Sequence, residues 1–406
     1  AVVLVAGVSE AHPRYLPGDH QGRMTATQPE PVDIGTRRVA LVHDWLTGMR
    51  GGEKVLEALY DLVPDAQLFT LLHIRGTVSE RLEAAAASTS LIQWLPWAAQ
   101  HYRRYVPLFP WVIEQFDMDR FDLVISTSHC AAKAVVPTGR ARHLCYCHTP
   151  MRYAWDQFTA YFGPDRVGPL RSRLYQLVFR RLARWDASTA GRVSRYVANS
   201  QHVAARIRRY YNRAATVVYP PVDTSYFSPS GSAPGPYYLI VSALVPYKRV
   251  EVAIAACNRT HTPLKIVGDG PERKRLEAQA GPNVEFLGTC ADEQIRELYR
   301  GARGFILPGE EDFGIAPVEA LACGRPVIGL ARGGATETVE DGRTGVLVDQ
   351  LTPDAFAEGI NRADGLSFDS SDIREQALRF SRSRFQDAMR RCIEETVHSQ
   401  RPNPTW

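Results

Sequence analysis

The sequence predicts an α/β protein made of two doubly wound parallel sheets. Three observations predict it. Short apolar runs with little alternation recur along the chain, which suits strands buried on both faces. Each run leads into a loop rich in Gly, Pro or charge, and then into a segment of helical period. One stretch, Phe227 to Pro236 (FSPSGSAPGP), has no apolar period and separates two such series, so it reads as a linker. The 406 residues suffice for two domains of ordinary size. The expected division is an extension over 1–36, a first domain over 37–222, a linker over 223–236, a second domain over 237–368, and a C-terminal helix over 369–406 that crosses back to the first domain.

In the first series Arg37 to His43 is a strand and DWLTGMRGGEK follows it. Gly48, Gly51 and Gly52 form a flexible turn there, and Glu53 to Leu62 shows helical period. Strands follow at Ala66–Leu72, Ser88–Ile92, Phe121–Ser126, Arg142–Tyr146, Tyr196–Ala198 and Thr216–Tyr219. Trp94 to Phe116 mixes three Trp, two Tyr, two Phe and three Pro with Arg103 and Arg104. That mixture suits a membrane interface or lipid groove, and equally a Pro-broken hairpin packed on the sheet. Arg171 to Arg195 reads as a long basic helix with Leu174, Leu177, Val178, Leu182 and Trp185 at helical spacing. Ser200 suits a helix N-cap.

In the second series strands are expected at Tyr237–Val241, Leu264–Val267, Val284–Leu287, Gly304–Leu307, Val327–Leu330 and Gly345–Val348. The stretch Pro308 to Leu330 (PGEEDFGIAPVEALACGRPVIGL) sets Glu311 and Glu319 on either side of a turn and a helix start. Pro317 suits the first helical turn, where its missing N–H costs nothing, and Gly324 suits a left-handed stop. Backbone N–H groups at that helix start attract an anion. Ligands of doubly wound sheets sit at the carboxyl ends of strands, and nearly every unusual loop lies at such an end.

The net charge of +4 hides an asymmetry. Residues 1–220 hold 27 Lys+Arg against 18 Asp+Glu, or +9; the rest hold 21 against 26, or −5. A basic first half suits an anionic partner: phospholipid headgroups, a lipid diphosphate, or nucleic acid. The arginines are spread and no nucleic-acid module is present, so nucleic acid is set aside. Seven Cys, with no C-x-x-C pair, point to reduced thiols and a cytoplasmic setting. No apolar run reaches the roughly 18–20 residues a membrane span needs. AVVLVAG at the start is too short for a signal peptide, residues 1–36 read as disordered, and Met24 reads as a natural start.

Glu311, seven residues, then Glu319, flanked by G-I-A-P and G-R-P-V-I-G, resembles the E-x7-E motif of the retaining nucleotide-sugar glycosyltransferases of family 4. Their fold is GT-B, two Rossmann-like domains facing a central cleft. The resemblance covers nearly everything from Arg37 onward and is nearest the bacterial mannosyltransferase-like branch that assembles polysaccharides and glycolipids. It implies that Lys248, with Arg249 beside it, neutralises a donor diphosphate, although Ala243 stands where the family pattern has Arg. Gly268 and Gly270 would form a tight turn for the nucleotide, and Gly51 and Gly52 would offer N–H groups to donor oxygens. His148 would lie beside the donor sugar, with Arg152 and Tyr153 on the acceptor side. Asp44, directly after the first strand, could orient an acceptor hydroxyl. Glu311 would take sugar hydroxyls, Glu319 the ribose, and Phe313, Gly314 and Ile315 would offer backbone N–H groups. The implied reaction is retaining transfer of a hexose, mannose from GDP-mannose, to a lipid-linked or polysaccharide acceptor. No cofactor or metal is expected, since the D-x-D at Asp117–Asp119 precedes a strand rather than following one. The implied setting is peripheral, at the inner face of an anionic cytoplasmic membrane. Other enzymes of this fold, such as a UDP-sugar transferase with a soluble acceptor or an epimerase, are alternatives. A non-catalytic nucleotide-sugar binder is another.

Overall fold

The computed structural model describes residues 31–231 and 233–399, and the chain divides into two compact units. One unit runs to Tyr219 and takes the chain back from Ser383; the other spans Pro220–Arg382.

The first unit holds seven strands: β1 (Val39–His43), β2 (Gln67–Thr70), β3 (Ser88–Thr89), β4 (Leu123–Ser128), β5 (Arg142–Cys147), β6 (Arg195–Ala198) and β7 (Ala215–Val217). All pair in parallel, in the order 3-2-1-4-5-6-7. The apolar runs are continuous because helices cover both faces. Val39, Leu41, Leu123 and Ile125 enter one core; Ala40, Val42 and Val124 enter the other. This is the two-residue period of a strand with no face left to water.

The second unit holds six: β8 (Tyr238–Val241), β9 (Leu264–Val267), β10 (Val284–Gly288), β11 (Gly304–Leu307), β12 (Val327–Leu330) and β13 (Gly345–Val348). Its order, 10-9-8-11-12-13, repeats the doubly wound pattern, again all parallel. In each sheet the strand order reverses beside the first strand, between β1 and β4 and between β8 and β11. Those switch points are where such sheets take ligands.

Several local expectations are corrected. Gly51 and Gly52 are not loop but the first turn of the helix Gly51–Leu62, leaving Gly48 in the turn. Ser88–Ile92 is a two-residue strand followed by a 3-10 turn, because Ser90 caps Ile92 N–H and ends the extended run. Residues 31–36 are not free: Val32 is buried and its N–H donates to Leu62 O. The rest of the expected extension lies outside the described residues. The tail is two helices, Ser370–Leu378 and Arg382–His398, and only the second joins the first unit's core, through Phe385, Met389, Cys392 and Ile393. Ser200 caps its helix as expected, accepting from Val203 N–H at 3.0 Å.

Candidate active site

In the second unit two loops meet at the switch point. The chain after β8 turns through Pro246–Lys248, and the chain after β11 passes directly over it at Gly309. A Cβ on Gly309 would lie 2.7 Å from Tyr247 O and 2.8 Å from Lys248 O, so only glycine permits this approach. The approach sets Lys248 Nζ on Glu311 Oε1 as a short ion pair. Both residues are largely buried, so the pair is shielded from bulk water.

Gly314 follows with φ +89, and the helix Ile315–Ala322 starts there, with Pro317 inside its first turn. Glu319 lies on the buried side of that helix, where Tyr299 OH donates to its Oε2 at 3.1 Å. Glu311 and Glu319 are 8% and 6% exposed, far below what two solvated surface carboxylates would show. Phe313 is buried against Phe380, ring centroids 5.3 Å apart, which anchors the loop whose backbone was expected to meet the donor.

At two expected donor positions the structure shows partners within the protein itself. The turn at Gly268 and Gly270 makes its close approach to the protein's own backbone. A Cβ at Gly268 would fall 1.9 Å from Ser242 O, and one at Gly270 2.4 Å from Leu244 O. These glycines let the loop after β9 lie flat on the loop after β8, so they shape the site from behind. Arg249, expected beside Lys248 on the diphosphate, sits in the left-handed region at φ +54 and pairs with Glu251 at 2.7 Å.

In the first unit the carboxyl ends of β1, β4 and β5 each carry a histidine: His43, His129 and His148. The His129 ring lies 6.2 Å from His148 and 6.3 Å from His43. Gly52 closes the group: a Cβ there would lie 3.5 Å from His43 Cε1 and 3.7 Å from His148 Nε2. The predicted Gly51–Gly52 and His148 are therefore brought together. Gly51 and Gly52 open a 12-residue helix, where N–H groups lack intrahelical partners and suit an oxygen ligand.

Asp44 has a different role from the one expected. It is fully buried and accepts four backbone N–H groups, from His129, Cys130, Ala131 and Ala132, at 2.6 to 2.9 Å. Its Oδ2 also lies 3.1 Å from His129 Nδ1. So Asp44 fixes the turn after β4 and orients His129, and an acceptor hydroxyl cannot reach it. His129 was missed by sequence reasoning; the available signal was its place directly after a strand. Burial lowers its pKa from the ordinary histidine value, with Asp44 pulling the other way. Tyr153 is partly buried, its ring meeting Tyr161 at 5.0 Å and Phe162 at 6.3 Å. Arg152 opens the short helix Arg152–Trp155 and is half-buried. Asp117 accepts the Asp119 N–H at 2.9 Å, so that pair shapes its own turn.

Residues 70–226 match the family model Glycosyltransferase Family 4, and residues 225–377 match Glycosyl transferases group 1. The chain is similar to the D-inositol 3-phosphate glycosyltransferase of Acidothermus cellulolyticus, at 30% identity over 210 residues, 44% of this chain and 47% of that protein. It is also similar to the GDP-mannose-dependent alpha-(1-6)-phosphatidylinositol monomannoside mannosyltransferase of Mycolicibacterium smegmatis, at 30% over 206 residues, 43% of this chain and 52% of that protein. The chain thus spans about half the length of the curated relatives it matches. Among solved structures, Anabaena HepE in complex with UDP aligns over 88% of this chain and 100% of its own, with a TM-score of 0.67 and 20% identity, which shows a shared fold. Two adjacent glycosyltransferase family models thus match residues 70–377, and the two parallel-sheet units have the GT-B fold.

Proposed function

We propose that this chain is a retaining hexosyltransferase that takes a nucleotide sugar and passes its hexose to a lipid-linked or glycan acceptor. The observation that carries the reading is the meeting of Lys248 with Glu311 at the switch point of the second unit, beside the buried Glu319. A diphosphate leaving group gains charge as the glycosidic bond breaks, and a largely buried ammonium stabilises that charge more strongly than a solvated one. Glu311 accepts hydrogen bonds from sugar hydroxyls once Lys248 turns to phosphate, and Glu319 accepts those of the ribose. The acceptor hydroxyl attacks the face that the diphosphate leaves, and the diphosphate takes its proton. No metal or cofactor enters this scheme. In the first unit, His148 and the helix start at Gly51–Gly52 are the groups suited to meet sugar or phosphate oxygens.

GDP-mannose is the donor favoured by the mycobacterial relative's name; the UDP held by the Anabaena protein favours a UDP-sugar as the second reading. We place the enzyme at the inner face of the cytoplasmic membrane. The exposed Trp94, Trp97 and Trp111 on the first unit support that placement. A thermal-shift panel of GDP-, UDP- and ADP-sugars tests the reading. One donor, at 100 times its Kd, should stabilise the protein by about 2.7 kcal/mol. Lys248→Ala and Glu319→Ala should each remove that shift. If no nucleotide sugar stabilises the protein, the proposal fails.

A further inference from the structure

The helix Pro169–Ser188 turns an apolar stripe outward. Its inner side, Tyr175, Phe179, Leu182 and Ala183, packs into the core that also takes Ala40, Val42 and Val124. Leu170, Leu174 and Leu177, four and three residues apart, lie on the other side and are 82%, 48% and 60% exposed. Arg171, Arg173, Arg180, Arg181 and Arg184 are exposed as well. The helix's one acid, Asp186, is fully buried, paired with Lys133 and accepting from Trp155 Nε1 and Tyr211 OH. The outward face therefore interleaves three leucines with five arginines and shows no acidic side chain.

Single exposed leucines are ordinary, but three in one stripe ask for a cover. Packing on a second copy of the chain would set arginines against arginines. A nucleic acid would satisfy the arginines and leave the leucines in water. A bilayer with anionic headgroups satisfies both, leucines toward the acyl chains and guanidinium groups at the phosphates. At 20 residues the helix is about 30 Å long, yet its charge keeps it from spanning. Among the described residues no helix is long and apolar enough to cross a membrane.

We infer that the helix Pro169–Ser188 lies in the surface of an anionic phospholipid bilayer and docks the first unit there. This deepens the membrane-side reading above by naming the element, and its test uses no sugar. The full chain is sedimented with vesicles of phosphatidylcholine alone and with vesicles holding roughly one third phosphatidylglycerol. Wild type should sediment with the anionic vesicles only, less so at high salt. Leu174→Glu/Leu177→Glu and Arg180→Glu/Arg181→Glu should each cut the bound fraction about tenfold. Their melting temperatures, and any nucleotide-sugar shift, should stay as in wild type, because the changed side chains face outward. The inference is overturned if wild type ignores anionic vesicles, or if the leucine variant binds like wild type. It is equally overturned if light scattering shows a dimer that the leucine variant dissolves, which would make the stripe a copy-to-copy interface.

Discussion

His143 is kept neutral by folding. Its ring is fully buried, with Nε2 2.8 Å from Ser126 Oγ and Nδ1 3.2 Å from Arg192 O, and burial pushes its pKa down to about 4. The unfolded chain takes the proton near pH 6.5, so stability is present above that pH and is lost as pH falls toward 4. The loss should reach about 3 kcal/mol, at 1.36 kcal/mol per pH unit. Urea midpoints of wild type and His143→Gln at pH 7 and pH 4.5 check this; the variant should show the smaller drop, and equal drops would refute it. At this scale the sequence revealed residue types at strand ends well. Lys248, Glu311, Glu319, Gly52 and His148 all lie in the two groups that the fold assembles. It could not reveal which side chains the fold would occupy itself. Asp44 is taken by four backbone N–H groups that lie 85 to 88 residues further on, a pairing that only the folded sheet creates, while Tyr153 packs among aromatic rings that begin nearby at Tyr161.

The loop that carries Glu311 and Phe313 is held by the turn after β12. Gly334 N–H donates to Glu311 O at 2.8 Å, and a Cβ on Gly334 would fall 2.2 Å from Phe313 O. That atom is backbone and cannot swing aside. Gly334→Ala should cost roughly 1–3 kcal/mol and shift the Glu311 loop. Its thermal melt should fall while its nucleotide-sugar shift shrinks; an unchanged shift would separate this turn from donor binding. Most strands were legible because each is a short apolar run buried on both faces; β3, a Ser-Thr pair, was read too long because the apolar Leu91 and Ile92 after it belong to a 3-10 turn. The helix Pro169–Ser188 was legible as a helix but not as to which side is inward. Leu174 and Leu177 keep helical spacing as well as Tyr175, Phe179 and Leu182 do, and only the latter three are buried. The break between the two tail helices was also hidden, since no Pro or Gly marks residues 379–381.

For the molecule as a whole, the helix Arg382–His398 is the piece that leaves one unit and completes the other. Phe385 stands edge-on to Tyr146 at 5.7 Å, and Gln386 reaches Ala58 O and Asp61. Ending the chain at Ser381 should leave the 220–381 unit folded and strip the first unit of Phe385, Met389, Cys392 and Ile393. The shortened protein should bind the dye ANS and lose one of its unfolding transitions; a native near-ultraviolet spectrum would count against this account. The same helix sets a schedule during synthesis. Phe385 emerges 166 residues after Tyr219 (385 minus 219), and the ribosome adds about 5–20 residues per second. For roughly 10–30 s, at that rate, Tyr146 and Val197 wait without their cover while the 220–382 unit is made. The unit that is translated first is the last to close.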